Sequence, residues 1–232
     1  MTEARWPALL IAAAMTLPPA GSIAQEVETT AAEMSLLPTY CPDTMYFIKG
    51  TYTAYPPNVR RWRDGLIGPD FDTLHHYCRG LLTLMRTDSL ATMNATRQQR
   101  DFSLNAAISD FDFVIKKSSP RLKLLPEIFV AKGQVLARLH RDKEAVDSYR
   151  RAIAAKQDYW PAYARWAELL QNRGNIAQAR SVVGEGMKHS PESKTLNALQ
   201  AELGVAEKKS KAAGKAKAES TDAAESKSEG EK

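Results

Sequence analysis

Residues 126–157 align with residues 160–191 at a constant offset of 34 positions. Phe129 falls on Tyr163, Gly133 on Ala167, Leu136 on Leu170, Ala145 on Ala179, Tyr149 on Val183 and Ala152 on Gly186. A fixed period of this length builds stacked supersecondary units, because one unit alone leaves its apolar face uncovered. The small residues have a packing reason. Gly133, Ala145, Ala167 and Ala179 sit where two helices must approach closely. A large side chain there would overpack the contact, at about 1–3 kcal/mol.

The order of these residues resembles the tetratricopeptide repeat: a bulky residue, a small one four later, a large one three beyond, a second-helix Ala, a large residue four after it, and a closing Pro. Pro191 closes the second unit, whereas Gln157 stands at that place in the first. The resemblance implies an all-α, short α-solenoid in which the first helix of each pair lines a concave groove. By that resemblance the groove positions are Glu127, Val130, Gln134, Ala137 and Arg138, then Pro161, Ala164, Glu168, Gln171 and Asn172. Relatives that clamp a C-terminal carboxylate carry Lys and Asn there. Val130, Ala164, Gln134 and Glu168 occupy those places here, so the clamp is not supported. A mixed apolar and amide groove suits an extended or helical peptide.

Upstream, Leu74, Tyr77, Cys78, Leu81, Leu82 and Met85 follow helical spacing. A second helix is predicted from about Thr96 to Lys117, with Leu104, Ile108, Phe111, Val114 and Ile115 on its apolar side. Gly80, Ala107 and Phe111 make this pair a degenerate third unit, with Pro120 near the closing position. Residues 192–203 are predicted to cap the last apolar face. The tail from Ala206 holds nothing aliphatic larger than Ala and is predicted to be disordered.

The N-terminal end reads as a secretory leader. Trp6–Leu17 is almost wholly apolar, Pro18 and Pro19 break the run, and Ser22-Ile23-Ala24 predicts cleavage before Gln25. The run falls short of the roughly 20 residues a membrane span needs, although an anchored form is the alternative. Residues 25–70 are predicted to be irregular. The first part is a polar lead-in, and the rest is rich in Pro, Gly and aromatic residues and wraps over the helical body.

The two cysteines, Cys41 and Cys78, are read first as a disulfide in an oxidising compartment. Free thiols, or a metal site completed by His75, are the alternatives. No catalytic constellation or cofactor motif is recognised. Asp110, Asp112, Glu127 and Glu168 are read as solvated helix-face charges. The net charge of +5 is scattered, so nucleic acid is not the expected partner. In the Arg60-Arg61-Trp62-Arg63 run, a cation–π contact within the wrap or a patch for an acidic partner is expected. The sequence thus predicts an exported scaffold or assembly factor that binds a polypeptide. The rival is a metal- or redox-handling protein using Cys41, Cys78 and His75.

Overall fold

The computed structural model describes residues 28–48, 55–92 and 95–208. The predicted leader, residues 1–24, and the tail from 209 onward lie outside the described residues. All regular structure among the described residues is helical. No described helix is long and apolar enough to cross a membrane.

The chain begins with a short helix, α1 (Ala31–Leu36), and a 3-10 turn, Cys41–Asp43. Another short helix, α2 (Pro57–Arg60), runs into a π-turn, Arg61–Leu66, and a 3-10 turn, Pro69–Thr73. The long helices follow: α3 (Leu74–Thr92), α4 (Arg97–Lys117), α5 (Leu125–Arg138), α6 (Asp142–Ala155), α7 (Trp160–Asn172) and α8 (Ile176–His189). A last helix, α9, covers 194–208, so helix persists to the start of the expected tail.

Local chemistry sets these boundaries. Thr96 caps α4: its hydroxyl accepts from the Gln99 amide, and the Gln99 side chain returns a bond to the Thr96 N–H at 2.8 Å. Pro126 and Pro161 stand in the first turns of α5 and α7, where no intrahelical N–H bond is lost. Both helices stop in the same way. His140 and Gly174 take φ values of 58° and 78°. The next amides, of Arg141 and Asn175, return to the carbonyls of Leu136 and Leu170 at 2.9 and 2.8 Å.

Consecutive helices pack as pairs, α3 with α4, α5 with α6 and α7 with α8. The pairs meet through α4 against α5 and α6 against α7. Ala145, Ala167 and Ala179 are fully buried between these helices. A Cβ built on Gly133 would lie 2.5 Å from the Tyr149 ring, and one on Gly80 would lie 2.5 Å from the Phe111 ring. Leu196, Leu199 and Leu203 of α9 close the end of the core over Tyr163, Ala179 and Val183.

The N-terminal segment is more ordered than its composition predicts. Thr30 and Glu33 form a capping box that starts α1. Glu33 then reaches Arg86 of α3 at 2.7 Å, tying α1 to the helical body. Leu37 and Tyr40 are buried against the same core as α3, α4 and α5. Cys41 and Cys78 lie at disulfide distance, with Cα atoms 5.6 Å apart. Asp43 accepts from Trp62 Nε1 at 2.6 Å and from Asn58 Nδ2, joining the first turn to the π-turn. In the basic–aromatic run, Arg61 lies over Trp62 and Arg63 over Tyr55, at 5.2 and 4.6 Å from the ring centroids.

Candidate functional site

A cleft of about 250 Å³ opens between α5 and α7. Gln134, Ala137 and Arg138 of α5 form one wall. Arg165, Glu168, Leu169 and Asn172 of α7 form the other, with Arg173 at its end and Tyr149 of α6 contributing from beneath. Arg165 donates to Glu168 at 2.8 Å along α7. Arg173 donates to Asp142 at 2.6 Å and holds that carboxyl below the usual carboxylate range. Burial pushes the Tyr149 phenol up, so it stays protonated under the cleft. The walls therefore present two amides, guanidinium groups and one carboxylate around a small apolar patch.

Five of the positions assigned to the groove by resemblance meet in this cleft: Gln134, Ala137, Arg138, Glu168 and Asn172. The others do not line it. Val130 and Ala164 are only 7% and 2% exposed and belong to the core. Gln171 donates to Glu202 of α9 at 2.7 Å. Glu127 accepts from the Tyr77 hydroxyl at 2.8 Å.

The Tyr77–Glu127 bond marks a second feature. Tyr77 and Cys78 are on α3, Glu127 on α5, and Tyr40 and Cys41 on the N-terminal segment. Burial, then the Glu127 charge, pushes the Tyr40 and Tyr77 phenols up, and Tyr159 up to about 12. These groups thus share one poorly solvated region. The chain's own N-terminal segment is packed against α3 here. The disulfide holds it there. The Tyr40 hydroxyl is buried without a hydrogen-bond partner among the described residues.

No family model matches the chain, and no curated protein matches it. The candidate site therefore rests on residues and geometry alone.

Asp110, read from sequence as a solvated charge, is instead buried. Arg79 donates to it at 2.9 Å and His76 lies 2.8 Å away. His76 also stacks on Phe113, with ring centroids 3.8 Å apart. The i, i+3 spacing of His76 and Arg79 puts both on one face of α3, a signal available before the structure. His75 lies against His76, with ring centroids 4.4 Å apart, but its Nδ1 sits 2.8 Å from the Asp72 carbonyl, and desolvation lowers its pKa. Among the described residues no group of three or more His, Cys, Asp or Glu is arranged to hold a metal ion. At bonding distance the two sulfurs satisfy each other, which leaves the Cys41, Cys78 and His75 set without thiolate donors.

Proposed function

We propose that this protein is an exported, tetratricopeptide-like interaction module that binds a polypeptide in the cleft between α5 and α7. The observation that carries the reading is the convergence of Gln134, Ala137, Arg138, Glu168 and Asn172 on one open cleft. A short α-solenoid is the architecture in which first helices of successive pairs share a face, and α5 and α7 are those helices here. Amides at Gln134 and Asn172 suit the backbone of an extended segment, because each offers a donor and an acceptor. Buried disulfide-distance cysteines, with no long apolar helix among the described residues, agree with an oxidising, extracytoplasmic setting. The role that follows is a scaffold or assembly factor, not a catalyst.

Because the N-terminal segment covers part of the α3 face, the open surface is short and the affinity modest. The test is recovery of partners from the native extract by the full chain and by a Gln134→Ala/Glu168→Ala/Asn172→Ala variant. Loss of a specific partner by the variant supports the cleft. Equal recovery by both chains contradicts it.

A further inference from the structure

A second, larger cleft, of about 410 Å³, lies beside the first. It is lined by the end of α3 (Thr87, Asp88), the start of α4 (Arg97, Arg100, Asp101), the last residue of α5 (Arg138) and the α5–α6 turn (His140). Arg138 belongs to the walls of both clefts. His140 of the larger cleft and Arg173 of the smaller one also touch, Nδ1 to Nη2, at 3.2 Å. The two openings therefore adjoin, with Arg138 and the His140–Arg173 contact at their shared edge.

Charge pairing within this joined surface leaves an excess of one sign. Every carboxylate in the walls already has a guanidinium. Asp101 faces Arg97 at 3.6 Å, Asp88 takes Arg138 at 2.6 Å, and Glu168 takes Arg165 at 2.8 Å. Arg173 pairs with Asp142, which lies outside both walls. That leaves Arg100, whose guanidinium has one hydrogen-bond partner among the described residues, the Ala95 carbonyl. A carbonyl uses one donor of five and leaves the positive charge unmatched.

We infer that the two clefts form one binding track, and that its occupant is an acidic, extended segment of a partner polypeptide. This rests on the polypeptide-binding reading above and adds the partner's chemistry. An extended segment fits because the two openings adjoin at Arg138, so a single occupant of both must run from one into the other. An acidic one fits because incoming carboxylates would meet Arg100 directly and could share Arg138 and Arg173 with their present partners. A basic segment would have no unpaired carboxylate to meet.

Fluorescence anisotropy with the full chain tests this, using three labelled peptides of equal length that carry Glu, Gln or Lys at alternate positions. The Glu peptide should bind at least about tenfold more tightly than the Gln peptide at low salt, with the gap narrowing as ionic strength rises. Arg100→Gln should weaken Glu-peptide binding by about two- to fivefold, and Arg100→Lys should restore most of it. Thermal melts of both variants confirm that the fold is intact. Gln-peptide binding equal to Glu-peptide binding, but lost in the Gln134/Glu168/Asn172 variant, overturns the acidic partner and leaves the cleft reading standing. Failure of all three peptides overturns both. Tighter binding of a labelled oligonucleotide of the same charge, or an unchanged Arg100→Gln, also overturns the inference.

Discussion

Gly133 on α5 and Tyr149 on α6 are in such close register that a methyl group at 133 would lie within 2.9 Å of three ring carbons. Tyr149 is almost fully buried, so its ring cannot swing aside. Gly80 and Phe111 repeat the relationship between α3 and α4. Gly133→Ala and Gly80→Ala should each destabilise the fold, by up to about 2 kcal/mol. The overpacking cost exceeds the roughly 1 kcal/mol that Ala gains over Gly in a helix. Gly184→Ala on α8, where nothing lies within 4 Å, should do the reverse. Urea denaturation of the three variants checks the signs.

The paired stops at His140 and Gly174 give a second prediction. The two positions differ by the repeat offset, and each takes a positive φ. A non-glycine residue in that region costs about 1 kcal/mol. His140→Gly should therefore raise stability by up to about 1 kcal/mol, whereas Gly174→Ala should lower it by a similar amount. The shift in melting temperature reads both.

The Glu33–Arg86 contact makes docking of α1 dependent on pH. Arg86, with the Thr30 amide, lowers the Glu33 carboxyl from 4.5 to about 2. A depressed folded-state pKa stabilises above the unfolded value and loses that contribution as pH falls through the folded one. Glu33→Gln should be about 1 kcal/mol less stable than the parent at pH 6. The difference should shrink between pH 4.5 and about 2. Denaturation curves across that range decide the matter.

Loss of the Cys41–Cys78 link should loosen the N-terminal segment first. The cross-link joins residues 37 apart, a separation for which loop-closure entropy gives about 4 kcal/mol. A Cys41→Ala/Cys78→Ala variant should lose about 2–4 kcal/mol. Hydrogen exchange should rise most over residues 28–48, while α7 to α9, which have their own core, keep their protection.

The long helices were readable because their apolar spacing and small residues are local patterns. Gly133, Ala145, Ala167 and Ala179 all fall in helix contacts, as close packing requires. The docked lead-in was less so. Thr30 and Glu33 carry the capping-box spacing, but a six-residue helix becomes stable only through partners such as Arg86, far along the chain. For the same reason, sequence alone did not separate the buried Val130 and Ala164 from the open Gln134 and Asn172. Their burial depends on which distant segments cover α5 and α7. Asp110 was misread because its partners, His76 and Arg79, are on another helix.

The most direct test places a photo-crosslinking residue at Gln134 or Glu168, inside the cleft, or at Arg151, exposed on α6 outside it. Each chain is irradiated in the native extract. The account predicts one discrete polypeptide adduct from positions 134 and 168 and none from 151. The same adduct at comparable yield from all three positions, or from 151 alone, would contradict it.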